Sequence, residues 1–363
     1  MKSDEELSPQ RVLEALRQVR EPELNNDLVT LQMVKDVTVS GSTVSLKVVL
    51  TTPACPFKAD IEGGIREQLS RLHGVEQVRI RWEWVVPQAH GTTEKPPLPG
   101  IKNIIAVGSG KGGVGKTTVA VNVAVGLAAM GAAVGLMDAD VYGPNVPLMM
   151  GAAGSPRAIG DRIQPLEQYG LRLMSMGFLS PGDKPLIWRG PMLHSVMQQF
   201  LRNVDWGELD YLVIDLPPGT GDVALSLIQT VPVTGALVVT TPSDVSLEDA
   251  RKAVQMFNQV KVEVLGIVEN MSFLICPHCH ERVDVFGYGG GRRTAERYGV
   301  AFLGELPLNP EVRIGGDTGL PVALRGDQDP LAKAFLDLAR RIAARLSVLN
   351  LTAPAETILN IRM

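Results

Sequence analysis

Ile104-Ile105-Ala106-Val107, followed directly by Gly108-Ser109-Gly110-Lys111-Gly112-Gly113-Val114-Gly115-Lys116-Thr117-Thr118, is the stretch that decides the fold. It contains a complete G-x-x-x-x-G-K-T, with a β-branched run before it and a helical pattern after it, the context a phosphate-binding loop requires. Glycines let the backbone curl so that successive N–H groups face phosphate oxygens, and the helix starting near Lys116 adds the positive end of its dipole. Gly110, Lys111, Gly112, Gly113, Val114, Gly115 and Thr118 belong to this cradle. Lys116 is placed to neutralise the β- and γ-phosphates. The Thr117 hydroxyl is a hard oxygen donor suited to Mg²⁺.

Outward from the loop, short β-branched runs alternate with helical patterns: Val134 to Met137, Tyr211 to Ile214, Ala236 to Val239, Val264 to Val268 and Phe302 to Leu306. Strand then helix, repeated, implies right-handed crossovers and a parallel sheet covered on both faces, with ligands at the carboxyl ends of the strands. Two acidic positions end such strands. Asp215 closes Tyr211-Leu-Val-Ile-Asp and precedes Leu216-Pro217-Pro218-Gly219-Thr220-Gly221-Asp222; its carboxylate is expected to hold Mg²⁺ through water, with the Pro/Gly run as a γ-phosphate switch. Asp138 and Asp140 follow Val134 to Met137, where a loop-start cap is the plainer alternative.

Before the loop, the chain reads as a small α+β unit. A helix from about Pro9 to Val19 is followed by strands alternating at Val37 and Val39 and at Val44, Leu46, Val48 and Leu50, with Gly41-Ser42 as the turn. A second helix over about Cys55 to Leu72 precedes Val78, Ile80, Trp82 and Trp84, which recur every second residue as on one buried strand face. Four prolines and two glycines in Pro87 to Gly100 mark a linker. The expected organisation is therefore 1–86 small α+β domain, 87–100 linker, 101–348 ATPase domain and 349–363 tail. The fold class is α/β: a P-loop NTPase with a mostly parallel sheet flanked by helices.

Composition narrows the setting. With 35 Lys and Arg against 39 Asp and Glu, the net charge is −4, which offers no global attraction to nucleic acid or membrane. Val119 to Met137 lacks a charge for 19 positions, but its glycines and Asn122 read as a buried helix followed by a buried strand rather than a membrane span. Residues 1–9 lack the basic start and apolar stretch of a signal peptide, so a cytoplasmic setting is expected. The 3 cysteines, Cys55, Cys276 and Cys279, are too few for a disulfide framework and suit reduced thiols.

Cys276-Pro277-His278-Cys279-His280 concentrates metal donors. It formally matches C-x-x-C-H for c-type haem, which needs export. Zinc could take both thiolates, yet His278 lies between them and cannot easily close a tetrahedron, so further ligands would have to come from elsewhere. An iron–sulfur cluster has the same shortage, because it usually takes four thiolates. Two chains would supply them. Cys55 is either a helix-start thiolate able to hold iron or a cluster transiently, or a buried, inert cysteine.

Lys111 inside the loop resembles the signature lysine of deviant Walker-A ATPases, which reaches across a nucleotide-sandwich dimer to the partner's phosphates. KGGVGKTT, DADVYGPN, WRGPM at Trp188 to Met192, DLPPGTGD, and ENM followed by CPHC together resemble the Mrp/ApbC family of iron–sulfur cluster carrier ATPases over nearly the whole chain. TTPACP at Thr51 to Pro56 is similar to the iron–sulfur assembly domain of its long bacterial members. The resemblance implies a homodimer with a labile [4Fe–4S] cluster bridged by paired Cys276 and Cys279, a cluster donor scaffold, and apo iron–sulfur proteins as recipients. It also implies that Asp140 orients or deprotonates the attacking water, that Asp138 supports the metal region, and that Asn270 reads adenine. Lys111, Lys116 and Asp140 are then the catalytic set, and Thr117, Asp215, Cys276 and Cys279 the metal-facing one. Gln32 and His280 depart from the family pattern, standing where glycine is usual. The absence of positive φ would explain Gln32, and His280 either adds a ligand or tunes cluster stability or, as the plainer reading, is a neutral surface change. Rival readings are a partition or positioning ATPase acting on DNA or membrane, which the tail from Leu349, with Arg362 as its one basic residue, does not favour, and a zinc-stabilised P-loop ATPase.

Overall fold

The computed structural model describes residues 7–89, 98–141, 143–179 and 190–352, with the side chains of 190–194 and 222 left aside. Much of the linker (90–97), Trp188 and Arg189, and residues 353–363 lie outside the described residues. The chain divides into two compact units, one drawn from Met1–Pro87 and Ala343–Pro354, the other mainly from Gln88–Ile342.

In the first unit, helix α1 (Pro9–Leu16) starts where Ser8 accepts a hydrogen bond from the Arg11 N–H and Pro9 occupies the first turn. Strands β1 (Val34–Ser40) and β2 (Thr43–Leu50) form the expected antiparallel hairpin, then helix α2 (Lys58–Ser70) leads to β3 (Gln77–Trp84), parallel to β2. Every second residue of β2 is buried against Val12, Leu16, Ile61, Ile65 and Leu69. Two expectations change here. Trp84, the last residue of the strand, is 46% exposed and lies outside the core cluster against which Val78, Ile80 and Trp82 pack. Gln32 has φ of 55°, so the turn into β1 does require the left-handed region where glycine is cheapest.

The second unit holds β4 (Ile101–Ser109), α3 (Lys116–Ala129), β5 (Val134–Asp138), α4 (Val146–Met149), an edge hairpin of β6 (Leu166–Gln168) and β7 (Leu171–Ser175), and α5 (Gly190–Arg202). It continues with β8 (Leu209–Asp215), α6 (Asp222–Thr230), β9 (Gly235–Thr240), α7 (Asp244–Gln259), β10 (Val264–Ile275), β11 (Arg282–Val283), α8 (Gly290–Tyr298), β12 (Phe302–Pro307), α9 (Pro310–Asp317) and α10 (Pro330–Thr352), whose residues from Ala343 on belong to the first unit. Seven strands in the order β7-β5-β8-β4-β9-β10-β12 are parallel, with antiparallel β6 and β11 at the margins. Strands β5, β8 and β9 are buried at every residue, as a sheet with helices on both faces demands.

Helix α3 is apolar almost all round and buried on nearly every side. Gly126 brings it onto α10, where a Cβ would meet Ala339 and Leu336 at 3.2 Å. The uncharged stretch Val119 to Met137 is thus this helix and β5, and no helix among the described residues is long and apolar enough to cross a membrane. Helix α10 runs to Thr352, so residues 349–352, expected in the tail, are helical. Its last turns have partners within the first unit: Ser347 donates to the Thr51 carbonyl at 3.4 Å and Asn350 to the Pro87 carbonyl at 3.1 Å.

Candidate nucleotide cleft and thiol hairpin

From central β4 the chain crosses to β5, β8 fills the gap between them, and β9, β10 and β12 then extend the sheet on the other side. The phosphate loop leaves β4 at this reversal, where α/β sheets open a crevice. A cleft of about 480 Å³ lies here, lined by Lys111, Lys116, Thr117, Asp140, Asn270 and Asn309 among others. Gly113 and Gly115 have φ of 79° and 80°, and Gly115 precedes α3 with no side-chain cap, leaving the helix's first N–H groups to the cleft. Gly110 is required by proximity, since a Cβ there would fall 2.0 Å from the Asp249 carbonyl oxygen of α7.

Lys116 and Asp215 are both buried, and Lys116 Nζ lies 2.6 Å from Asp215 Oδ1. The Thr117 hydroxyl donates to Asp215 Oδ2 at 2.7 Å. One carboxylate on β8 therefore accepts from both loop residues expected to meet phosphate and metal. Burial pushes the Asp215 carboxyl above its ordinary value, opposed by the Lys116 charge. Asp138, on the neighbouring β5, is pushed up to about 8 by burial and by Asp215. It accepts from the Ser175 hydroxyl at 3.0 Å and from the Asp140 and Val146 N–H groups at 3.0 and 3.2 Å. Asp138 is thus a brace for the β5–α4 loop, whereas Asp140 lines the cleft and accepts from the Gly143 N–H at 3.2 Å. Asn270 also reaches the cleft, where its amide donates to the Val114 carbonyl at 2.9 Å.

Some lining residues escaped the sequence reading. Asn309, Val312, Arg313 and Asp317 form one wall. Asn309-Pro310 is a recognisable helix start, confirmed by the 2.8 Å bond from the Glu311 N–H to Asn309 Oδ1, but nothing local says that the helix faces a nucleotide. Ser175, the support of Asp138, comes from β7 and has no sequence signal at all.

The cysteine pair occupies the tip of a hairpin made by the end of β10 and β11, with Leu274 opposite Val283 and Ile275 opposite Arg282. The Cys276 N–H donates to the Glu281 carbonyl and the His280 N–H to the Cys276 carbonyl, both at 2.9 Å. Cys279 is exposed and Cys276 half-buried. Hydrogen bonds from the Cys279 and His278 backbone N–H groups, in that order, hold the Cys276 thiol below its usual range. His280 has φ of 60°, so the glycine usual in the family is a backbone requirement rather than a neutral surface preference. Among the described residues, no three His, Cys, Asp or Glu side chains converge to hold a metal ion, so neither His278 nor His280 completes a site with the thiols. Ile275, Val283, Val285, Phe286 and Tyr288 leave an exposed apolar run through this hairpin and the segment after it.

Cys55 differs. It lies three residues ahead of α2, and burial, with Glu21 and Glu23 adding to it, raises its thiol to about 11. Of the two readings of Cys55, the activated helix-start thiolate is the one this environment opposes.

The sheet order, the phosphate loop and the Lys116–Asp215–Thr117 cluster define the class: a P-loop NTPase. Residues 100–343 match the family described as NUBPL iron-transfer P-loop NTPase, and residues 9–81 the one described as iron-sulfur cluster assembly protein. The iron-sulfur cluster carrier protein of Synechocystis is 48% identical over 94% of this chain and 99% of its own length. That of Deinococcus radiodurans is 49% identical over 95% and 97%. The chain belongs to the iron–sulfur cluster carrier family of P-loop NTPases. Among solved structures, a nucleotide-binding protein from Archaeoglobus fulgidus in complex with ADP is 39% identical, covers 61% of this chain and 88% of its own, and has a TM-score of 0.56. The cell-division ATPase MinD of Pyrococcus furiosus, 24% identical, covers 66% of this chain and 98% of its own with a TM-score of 0.51, and shares the fold.

Proposed function

We propose that this chain is an ATP-hydrolysing carrier that holds a [4Fe–4S] cluster as cargo between the Cys276–Cys279 pairs of two copies and delivers it to apo iron–sulfur proteins in the cytoplasm. The observation that carries the reading is the thiol hairpin: two thiols on an accessible tip, with no third donor among the described residues, in the same unit as the phosphate loop. Four thiolates then require a second copy. The exposed apolar residues beside the hairpin support a homodimer face there.

In the cleft, loop N–H groups and the α3 N-terminus receive the phosphates, and Lys116 turns from Asp215 to the β- and γ-phosphate oxygens. Thr117 and Asp215, two hard oxygen donors already 2.7 Å apart, fit Mg²⁺, which would neutralise charge on the phosphates. Asp140, in the cleft lining, would orient and deprotonate the attacking water, with Asp138 as the main brace of its loop. Lys111 would come from the partner copy to the transferring phosphoryl group. Asn270 contributes to base recognition from the cleft wall.

Anaerobic iron–sulfur reconstitution of wild type beside Cys276→Ala and Cys279→Ala tests the reading. About two irons and two sulfides per chain with [4Fe–4S] absorption are expected, and loss of both in either variant. Equal iron retention by the variants would sink the bridged cluster. Lys116→Ala should abolish hydrolysis while cluster binding persists.

A further inference from the structure

Strand β10 connects the two sites directly. Asn270 and Met271 line the nucleotide cleft, and Cys276 follows the last residue of the same strand. Between them the pairing with β12 is irregular: Glu269 pairs with Glu305 and Phe273 with Pro307, so residues 270–272 stand opposite Leu306 alone. Met271 has φ of 53° inside this bulge, a conformation a side chain holds only where its surroundings impose it. Strand β12 ends in the cleft wall, at Pro307, Leu308 and Asn309.

Arg282 bridges these parts. It lies opposite Ile275, next to Cys276, and its guanidinium binds Asp284 Oδ1 at 2.8 Å on the hairpin side and Glu305 Oε2 at 2.9 Å on β12. The same group lies 4.3 Å from the Phe273 ring centroid and 5.1 Å from that of Tyr288. The Phe273 carbonyl in turn accepts from the Leu308 N–H at 2.7 Å. Glu305 is two residues before the cleft-lining Pro307. A planar, multidentate side chain is suited to this clamp, where the point charge of a lysine could bridge the two carboxylates but could not lay a flat face against the Phe273 ring.

We propose that Arg282 is a positioning residue that couples the thiol hairpin to the nucleotide cleft: occupancy of the cleft wall resets the 270–272 bulge and β12, and the Arg282–Glu305–Phe273 clamp carries that shift to Cys276 and Cys279. Arg282 is not among the residues that line the cleft. The coupling is reciprocal, so a change at the hairpin alters nucleotide affinity by the same factor. It rests on the nucleotide reading of the cleft but not on any cluster being bound.

The test uses the full chain, reduced and iron-free, with Cys55→Ser to leave two thiols. Maleimide labelling rates of Cys276 and Cys279 are measured with and without saturating ADP, alongside ADP affinity by titration. ADP is expected to change the labelling rate about fivefold, the low end of typical couplings. Arg282→Gln and Glu305→Gln should bring that ratio to one, and Arg282→Lys should leave a partial effect. A merely structural arginine would alter the labelling rate equally with and without ADP and leave the ratio intact, which would overturn the proposal. Should Arg282→Gln misfold, Glu305→Gln decides. ADP binding with no change in wild-type labelling would overturn the coupling alone, whereas failure to bind ADP would remove the nucleotide reading and the coupling together.

Discussion

Replacing Lys116 by methionine keeps an unbranched chain of similar length while deleting the charge that faces Asp215. In the native protein the ammonium lies 2.6 Å from a carboxylate with no solvent exposure, and Lys116 itself is 6% exposed. At an effective dielectric constant near 20 the attraction over that distance is about 6 kcal/mol, partly offset by the desolvation of both charges. What the substitution leaves is a buried carboxylate without its cation, beside Asp138, and breaking such pairs costs about 3–5 kcal/mol. The loss should depend on pH with a definite sign. Burial already raises the Asp215 carboxyl, and Lys116 is the leading influence that lowers it. Without Lys116 the folded-state value climbs further above the unfolded value near 4. The folded variant then carries a proton that its unfolded chain lacks, so its stability is retained below about pH 4 and declines, by at most about 1.4 kcal/mol per pH unit, as pH rises towards the raised folded value. Asp138 is raised in part by the Asp215 charge, so the difference between the two proteins reports on the Asp138–Asp215 pair rather than on Asp215 alone. Urea unfolding of nucleotide-free wild type and Lys116→Met at pH 5.5, 6.5 and 8 should show a gap that widens with pH and reaches several kcal/mol at the top. A gap that is constant with pH, or smaller than about 1 kcal/mol throughout, would mean instead that the pair is solvated or that Asp215 is protonated in wild type.

Further outcomes follow from local chemistry. Iodoacetamide at pH 7.5 should modify Cys276 well before Cys55 in peptide mapping, because backbone N–H groups stabilise one thiolate while burial raises the other thiol to about 11; preferential labelling of Cys55 would contradict both assignments. Gln32→Gly should stabilise the protein by about 0.5–1 kcal/mol, the relief of a left-handed side chain less the extra chain entropy of glycine. Calorimetry should register this as a rise of about 1 °C, and a lower melting temperature would show that the Gln32 side chain makes compensating contacts.

The phosphate loop was legible because its chemistry is local: glycine spacing, the lysine and the hydroxyl lie within one strand–loop–helix and need no distant partner to be recognised. The parallel sheet was legible for a related reason, since strands buried on both faces must be apolar throughout, and those runs were visible between helical patterns. The thiol pair was likewise visible from spacing, and its shortage of ligands was a matter of counting. The left-handed backbone at Gln32 and His280 was not legible, because side-chain identity there argues against it and only the surrounding turn imposes it.

Partnership across the sheet lay beyond the sequence altogether. That Asp215 holds Lys116 and Thr117 at once, that Ser175 steadies Asp138, and that Asn309 and Arg313 wall the cleft depend on strands and helices far apart in the chain meeting at one edge. The same holds for Arg282, an ordinary exposed charge in sequence and a clamp between β11 and β12 in space. Which chemical groups the chain possesses, and in which elements they sit, follows from local order along the chain, because backbone propensity, burial pattern and loop chemistry act over a few residues. The tertiary structure alone decided which of those groups share a site and how their charges perturb one another, because electrostatic and packing energies depend on distances in space that chain separation does not encode.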